Sequence, residues 1–262
     1  MMEETYKKVL ALDSSGLVAS VAVVEGDGYN SNLLAEYTVN YKKTHSQTLL
    51  PMLDAIVKMT ELDLKTIDAI AVAAGPGSFT GLRIGSATAK GLGLALEKPL
   101  VAIPTVDALA YNLYGTEGLI CPLMDARRNQ VYTGIYEFCK EEIPEKESSE
   151  HQLVMHSIKE QCAIVVDELV EELNRLGREV IFLGDGVPVY REQILQKLKV
   201  PCSFAPAANN RQRAASVASL GAVYHAHGRT VTAAEHEPEY LRKSQAERER
   251  EEQEKVAKEA QA

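Results

Sequence analysis

Short apolar runs bounded by turn-forming residues alternate with segments whose apolar residues recur every three or four positions. Runs of the first kind predict β-strands, and the second spacing predicts amphipathic helices. In the first part of the chain, the predicted strands cover residues 9–12, 18–24, 33–39, 67–74 and 100–103. The predicted helices cover residues 44–60 and 82–96. Strands alternating with helices in this order indicate an α/β unit with a partly antiparallel sheet.

The predicted helix over residues 44–60 carries two local signals. Thr44 and Gln47 have the spacing of a capping box, in which two side chains satisfy free N–H groups at a helix start. Pro51 would remove the hydrogen bond to Gln47, so we expect a late start or a kink. The apolar stripe of this helix consists of Leu49, Leu50, Leu53, Ile56 and Val57.

The second half of the chain repeats this order loosely. A hairpin is predicted from residues 119–124 and 130–138, and the acidic stretch 140–150 is predicted to be an exposed loop. The elements predicted after it are a helix over about 158–176, a strand over 179–183, a turn at 184–186, a further helix, a strand near 202–204 and a helix over about 211–227. The charged tail after Pro238 has few apolar anchors and is predicted to be a frayed or solvated helix without a core.

Composition narrows the classes of function. The net charge of −9 argues against a chain that wraps nucleic acid by itself, but it does not exclude local basic patches. The N-terminal residues lack an apolar signal core, and no run is long enough to cross a membrane, so we expect a cytoplasmic protein without membrane contact. The four cysteines lie far apart and are predicted to be core thiols of a reduced compartment: Cys121, Cys139, Cys162 and Cys202.

The glycine-rich segment AGPGSFTGLRIG, residues 74–85, links a predicted strand to a predicted helix. Glycine permits close backbone approach, and a helix start offers free N–H groups, so such a turn can hold a ligand. The segment nevertheless lacks the Gly-Lys-Ser/Thr ending of a Walker loop and the glycine spacing of a dinucleotide loop. Ser78 also fails the pattern of a hydrolase nucleophile and is sufficiently explained as a helix N-cap.

Candidate chemistry elsewhere competes with structural explanations. Asp13 with its neighbouring serines could hold a hydrated magnesium ion beside a phosphate, or could simply form a turn. The Gly184-Asp185-Gly186 turn could be a second phosphate loop, or a turn that needs positive φ. His45 could contact a partner or ligand at a helix start, and the six histidines form no metal-binding pattern. Arg127 and Arg128, at a charged hairpin tip, could contact an anionic partner or be solvated.

The helix after the glycine motif is rich in small residues, which lowers its intrinsic stability. Close packing against a sheet or another helix is expected to compensate, either within the chain or across an interface. The small residues are Gly81, Gly85, Ser86, Ala87, Ala89, Gly91 and Gly93.

Six segments together closely resemble the TsaB family, once called YeaZ. They are LALDSS (10–15), HSQTLLP (45–51), AGPGSFTGLRIG (74–85), PTVDALA (104–110), DARRNQVYTGIY (125–136) and PEYLR (238–242). The resemblance covers nearly the whole chain except its terminal charged tail. It implies the two-lobed α/β fold of actin and sugar kinases, with mixed sheets flanked by helices. We expect an N-terminal lobe over 1–104, a C-terminal lobe over 105–237 and a tail over 238–262.

The same resemblance implies a function in the biosynthesis of threonylcarbamoyladenosine, a modified base beside the tRNA anticodon. It assigns catalysis to a paralogous partner, TsaD, which carries a histidine pair for a metal, and names an ATPase, TsaE, as a third component. Residues 104–113 of this chain contain no histidine. The resemblance therefore implies a non-catalytic subunit without a bound cofactor, with ATP and metal on the partner subunits.

The resemblance also implies a docking surface. Residues 45–53 and 78–92 resemble two helices by which these proteins pair with themselves or with TsaD, so homodimer and heterodimer would compete. The residues expected there are His45, Leu49, Leu50, Leu53, Ser78, Phe79, Gly81, Leu82, Gly85 and Ala89. Contact with tRNA is expected through the complex, with a local contribution from Arg127 and Arg128.

Two enzymatic alternatives remain beside this interpretation. Asp13 resembles the first phosphate-loop aspartate of the superfamily, and together with the 184–186 loop it would suit a sugar-kinase-like ATPase acting on its own. The other phosphate and adenosine loops of that superfamily are not recognisable in the sequence. The missing nucleophile and metal motifs argue against a peptidase.

Overall fold

A mixed sheet in which a hairpin is extended by parallel strands forms the first half of the molecule. The computed structural model describes residues 7–26, 30–41, 44–142 and 151–242. In the first sheet the strand order is β3-β2-β1-β4-β5, with β1 antiparallel to β2 and parallel to β4. Its strands are β1 (Lys7–Asp13), β2 (Ala19–Gly26), β3 (Ser31–Val39), β4 (Ala69–Gly75) and β5 (Leu100–Pro104).

The second sheet is also mixed and follows later in the chain. Its order is β11-β10-β6-β8-β7, and β9 pairs with β8 in a long antiparallel hairpin. Its strands are β6 (Leu119–Pro122), β7 (Met124–Asp125), β8 (Gln130–Glu142), β9 (His151–Val165), β10 (Val180–Leu183) and β11 (Cys202–Phe204).

Helices cover the faces of both sheets. They are α1 (His45–Thr60), α2 (Phe79–Leu96), α3 (Thr105–Tyr111), α4 (Val166–Leu176), α5 (Val187–Lys197) and α6 (Ala214–Ala226), with a 3₁₀ turn at Leu64–Thr66. Two mixed sheets flanked by helices confirm the expected two-lobed actin/sugar-kinase-like fold class.

The first sheet is buried on both faces, which explains its uninterrupted apolar runs. Successive residues of a strand point to opposite faces, so Leu10 and Leu12 pack on the side of α1 and α2. Val9 and Ala11 pack on the opposite side, against α6. In the second sheet, α4 and α5 cover one face through residues such as Leu169 and Ile194.

Helix α6 returns to the first sheet from the second half of the chain. Its buried residues join the same cluster as Val9 and Ala71, and Val231 then pairs with Leu100 at the edge strand β5. Segments expected in a C-terminal lobe over 105–237 therefore complete the core of the first lobe. The division at residue 104 stays a prediction about folding units.

The helix predicted over residues 158–176 is wrong in its first half. Residues up to Val165 belong to strand β9, and the helix α4 begins only at Val166. Pairing with β8 supplies hydrogen-bond partners for the backbone N–H and C=O groups of this segment. These long-range contacts outweigh the local spacing on which the helix prediction was based. The predicted loop is also wrong at residues 140–142, which continue β8, while residues 143–150 lie outside the described part of the chain.

Several boundaries of the predicted helices also differ. Helix α1 begins at His45 without delay, and the Thr44 side chain makes no capping hydrogen bond, so the predicted capping box and late start are wrong. Pro51 lies within the helix. Helix α2 begins at Phe79, three residues earlier than predicted, because Ser78 caps it. The short helix α3 was not predicted; with seven residues it offers too little periodicity.

Candidate functional site

The glycine motif lies against the turn that follows β1. The Ser78 N–H donates to the Ser15 carbonyl at 2.6 Å, and the Ser14 hydroxyl donates to the Gly81 carbonyl at 2.9 Å. The Ser78 side chain accepts from the Gly81 N–H at 3.3 Å, which confirms its role as the N-cap of α2. The motif and the 13–15 turn are therefore locked together.

Close approach is the reason for glycine in this motif. A Cβ added at Gly81 would lie 2.1 Å from the Ser14 carbonyl oxygen, and one at Gly77 would lie 2.3 Å from the Ser15 carbonyl oxygen. A Cβ at Gly85 would lie 2.4 Å from the Ser14 hydroxyl. The group that approaches the motif is thus the chain's own backbone, and the small face of α2 is used mainly within the subunit.

Asp13 is buried beneath this contact, with 1% of its surface exposed. Its carboxylate accepts hydrogen bonds from the backbone N–H and the hydroxyl of Ser15, at 2.9 and 2.7 Å. Burial raises the pKa of Asp13, while the hydrogen bonds from Ser15 and the nearby His45 oppose that rise. One carboxylate oxygen of Asp13, Oδ1, is therefore engaged in holding the turn.

His45 and the Gly184–Gly186 turn also make structural contacts. A ring nitrogen of His45, Nε2, lies 2.8 Å from the Gly16 carbonyl, which ties the start of α1 to the β1–β2 turn. Gly184 has φ +108°, and a Cβ there would lie 2.1 Å from the Leu123 carbonyl oxygen, so this turn needs glycine as predicted. Asp185 accepts from the Asp125 N–H at 3.2 Å, and burial raises its pKa.

Most of the ten residues expected at a partner surface are covered by their own chain. Those that are buried are Leu49, Leu53, Gly81, Leu82, Gly85 and Ala89. Phe79 and His45 are half-buried, whereas Ser78 and Leu50 are exposed. The exposed face of α2 is formed instead by Arg83, Ala87, Gly91 and Leu94. On α1, Leu50 and Met59 are exposed on opposite sides of the buried stripe.

A cleft of about 640 Å³ opens where the motif faces the second sheet. Its walls come from the β1–β2 turn, the glycine motif, the 125–127 turn and a C-terminal strap, Pro238–Arg242. The lining residues include Gly16, His45, Phe79, Arg127, Tyr132, Asp185, Tyr240 and Arg242. The cleft is therefore the junction of all segments that carry the family resemblance except residues 104–110.

The strap was expected to belong to an unanchored tail, but it is packed. The Glu239 N–H donates to the Ala74 carbonyl at 2.7 Å, and the Tyr240 ring lies 4.7 Å from the Phe79 ring. Arg242 donates to the Ala126 carbonyl at 2.7 Å, which joins the strap to the second sheet. The proline and tyrosine within an otherwise charged tail were the available signals for this contact. Residues 243–262 lie outside the described chain.

Metal ligation finds no support among the described residues, where no three His, Cys, Asp or Glu side chains converge. The Cys121 thiol is fully buried, and burial raises its pKa to about 12, in line with a core thiol. Cys139, Cys162 and Cys202 are only partly buried. In the same residues, no helix combines the length and apolarity needed to cross a bilayer.

Comparisons with known proteins converge on one family. The sequence model of the family described as TsaD: tRNA N6-adenosine threonylcarbamoyltransferase matches residues 32–250. A Bacillus subtilis relative, tRNA threonylcarbamoyladenosine biosynthesis protein TsaB, is 32% identical over 242 residues, which are 91% of this chain and 96% of the relative. The protein of that name from Escherichia coli is 27% identical over 91% of this chain and 96% of its own length.

Solved structures agree with these sequence relatives. A Pseudomonas aeruginosa protein described by its similarity to the peptidase YeaZ superposes with a TM-score of 0.69 at 26% identity, covering 90% of this chain and all of that one. YeaZ from Pseudomonas aeruginosa gives a TM-score of 0.64 at the same identity and coverage. With a family match over most of its length, a relative 32% identical over 91% of it, and neighbours of the same shape, the chain belongs to the TsaB (YeaZ) family.

Proposed function

We propose that this chain is a non-catalytic, dimerising subunit in tRNA threonylcarbamoyladenosine biosynthesis, which binds and activates a TsaD-type catalytic paralogue. Its relatives are named for that biosynthesis, and most of the chain matches the family model of the transferase. A TsaE-type ATPase and the tRNA join through the complex, and the work is done in the cytoplasm. ATP and metal are held by the partner subunits.

The observation that carries this proposal is the outward face of α1 and α2. Leu50, Met59 and Leu94 expose 54%, 87% and 69% of their surface on these helices. At Gly91 a Cβ would meet no atom within 4 Å, so a partner backbone can approach α2 closely there. Leu94 lies one turn from Gly91 on the same face of α2, and an exposed apolar side chain beside a small residue forms a surface suited to another helix. One surface that fits both a second copy and the paralogue explains why the two assemblies would compete.

Two features support the proposal that this subunit does not catalyse the transfer step. The Asp13 carboxylate is buried, and its Oδ1 atom holds the 13–15 turn through two hydrogen bonds from Ser15. Residues 104–113, where the paralogue is expected to carry its metal-binding histidines, form the apolar helix α3 and its flanks, with no histidine.

The cleft beside the glycine motif keeps one alternative open, a sugar-kinase-like ATPase acting alone. Its volume of about 640 Å³ falls in the range of small-molecule sites. Purified chain assayed for ATP hydrolysis tests this alternative directly. Turnover by the isolated chain that disappears in Asp13→Ala would establish the enzyme and contradict the accessory subunit.

Co-purification with a TsaD-type paralogue tests the proposed subunit, with Gly91→Arg as the probe. An arginine at this exposed position fits the free chain but occupies the space of a partner helix, so we expect at least about tenfold weaker binding. Gly91→Ala, with one added methyl group, should retain far more binding. Val189→Arg, at a 58% exposed position on α5, is the control for an added surface charge.

Reconstituted tRNA modification is measured for each variant in addition to its binding to the paralogue. Gly91→Arg should lose both together while the far-ultraviolet spectrum and the urea midpoint of the free chain are retained. Equal binding by Gly91→Arg and wild type would place the partner on another surface. Full tRNA modification by the paralogue without this chain would contradict the proposed activation.

A further inference from the structure

The turn between β7 and β8 has an unusual backbone. Arg127, Arg128 and Asn129 follow one another with φ of 61°, 57° and 59°. Three consecutive residues thus occupy the left-handed region, which only glycine enters without cost and which asparagine tolerates best among the rest. Arginine is less stable than glycine in this backbone conformation, so the conformation does not explain why arginine occupies these positions. A side chain kept at an unfavourable position suggests that the side chain itself is used.

Both guanidinium groups of this turn are unengaged. In the part of the chain that the structure describes, neither guanidinium group forms a hydrogen bond or an ion pair, and both side chains are exposed. Arg127 makes its contacts through its backbone: its N–H donates to the Asp125 carboxylate at 2.8 Å, and its carbonyl accepts from the Gln130 N–H at 3.2 Å. The other arginines on this side of the cleft are fixed to carbonyl oxygens: Arg242 to Ala126 and Arg211 to Gly184, each at 2.7 Å. The free pair is therefore distinct from the arginines that hold the fold.

The neighbouring carboxylates do not neutralise this pair directly. Asp125 accepts from the Tyr190 hydroxyl at 2.9 Å, and Asp185 accepts from the Asp125 N–H at 3.2 Å. Glu239 accepts from the Gln161 side-chain amide at 2.8 Å. None of these carboxylates forms an ion pair with Arg127 or Arg128 among the described residues, so both guanidinium groups are available to an external anion.

We propose that Arg127 and Arg128 bind phosphodiester groups of the tRNA held by the complex, an assignment that rests on the proposed function above. The planar guanidinium fork matches a phosphate with two parallel hydrogen bonds. Adjacent residues on a projecting turn can meet successive phosphates of one strand, whereas a net charge of −9 disfavours RNA over the rest of the surface. The pair anchors the RNA backbone and reads no base.

The test uses the full complex of this chain with its TsaD-type paralogue and an unmodified tRNA transcript. Arg127→Gln with Arg128→Gln removes both charges but keeps the side-chain length near that of the wild type. We expect about tenfold weaker tRNA binding near 0.1 M salt, and a slope of log affinity against log salt that is shallower by about 1 to 2. The KM for tRNA should rise while kcat is retained.

Two further variants separate charge from structure. Arg127→Gly with Arg128→Gly relieves the left-handed backbone, so it should unfold at an equal or higher urea concentration and still bind tRNA as weakly as the glutamine variant. Arg175→Gln with Lys199→Gln removes two exposed charges elsewhere on the second lobe and should leave the tRNA affinity and salt slope unchanged.

Each outcome decides between distinct explanations. Unchanged tRNA affinity and salt slope in the glutamine variant, with the paralogue still bound, would overturn this assignment and leave the proposed function intact. Loss of paralogue binding in that variant would overturn it in favour of an acidic protein surface as the partner. Failure of the wild-type chain to bind the paralogue at all would overturn both proposals.

Discussion

At the scale of single residues, glycines of α2 serve different neighbours although they share one sequence pattern. Gly81 and Gly85 admit the Ser14 backbone and side chain, whereas Gly91 faces open space. The sequence predicts that small residues need close packing, but spacing along a helix does not reveal which element approaches. The position of the β1–β2 turn determines which glycines of α2 are approached, and that position depends on the pairing of strands distant in the sequence.

Alanine substitutions at these glycines should therefore have opposite signs. Gly81→Ala forces a methyl group to within 2.1 Å of a backbone oxygen, so we expect the free energy of unfolding to fall by about 2 kcal/mol or more. Gly91→Ala meets nothing and should raise it by about 0.5–1 kcal/mol, because alanine restricts the unfolded chain. Urea unfolding at one fixed protein concentration measures both. If both substitutions shifted the free energy of unfolding in the same direction, Gly81 and Gly91 would not differ in their surroundings as described.

At the scale of elements, the strands with uninterrupted apolar runs were predictable, and the long hairpin was not. β4 along its whole length and β1 from Val9 to Leu12 are buried on both faces, so these stretches are uninterruptedly apolar. β9 mixes polar and apolar residues and owes its structure to pairing with β8. The partners of its misassigned second half lie 24 positions away at Lys159–Ile135 and 35 at Val165–Gln130, so local spacing does not reveal them. The strap was hidden for a similar reason: its contacts lie on segments far away in the sequence.

Tyr240 should hold the strap on the glycine motif through its ring. Tyr240→Ala removes the pair with Phe79 and the hydrogen bond from Arg83, so we expect amide exchange at Glu239 to accelerate about two- to tenfold. Tyr240→Phe keeps the ring and should exchange nearly as the wild type does. The Val231 amide, bonded to Leu100 at 2.9 Å, is the internal reference. Unaltered exchange at Glu239 in Tyr240→Ala would show that the backbone bond to Ala74 suffices alone.

At the scale of the whole molecule, Asp107 on α3 links the two sheets. Its carboxylate accepts from the Tyr136 hydroxyl of β8 at 2.7 Å and lies 3.5 Å from the Tyr224 hydroxyl of α6. Burial raises the pKa of Asp107 to about 6, although the hydrogen bond from Tyr136 opposes the rise. The folded protein thus holds this proton more tightly than the unfolded chain, in which an aspartate has a pKa near 3.9.

The stability contributed by Asp107 should therefore be present below about pH 4 and be lost as the pH rises to about 6. Asp107→Asn keeps an acceptor for Tyr136 without the charge, so its stability relative to wild type should rise across this range, by on the order of 1–3 kcal/mol. Urea midpoints of both proteins between pH 4 and 8 measure the difference. Comparing the two cancels the titration of the other buried carboxylates, Asp13 and Asp185, whose pKa values are also raised. A difference that does not vary with pH would contradict the assignment.

The fold class was predictable from the order of apolar segments and from the family resemblance, whereas the candidate site was predictable only in part. Ser78 as a cap and Gly184 as a positive-φ turn follow from local chemistry, and the structure confirms them. Burial of Leu49 and Leu53 in the first lobe does not follow, because an apolar stripe looks the same whether it faces its own sheet or a partner.

The return of α6 to the first sheet has a consequence for synthesis on the ribosome. Strands β1 and β4 emerge early, but Val9 and Ala71, on the face opposite α1 and α2, pack against Gly221 of α6, a helix made after residue 213. A nascent chain that already carries both sheets therefore still exposes an apolar surface, which is the kind that molecular chaperones hold and that aggregates when left uncovered. The lobe whose strands are made first is the one that is finished last.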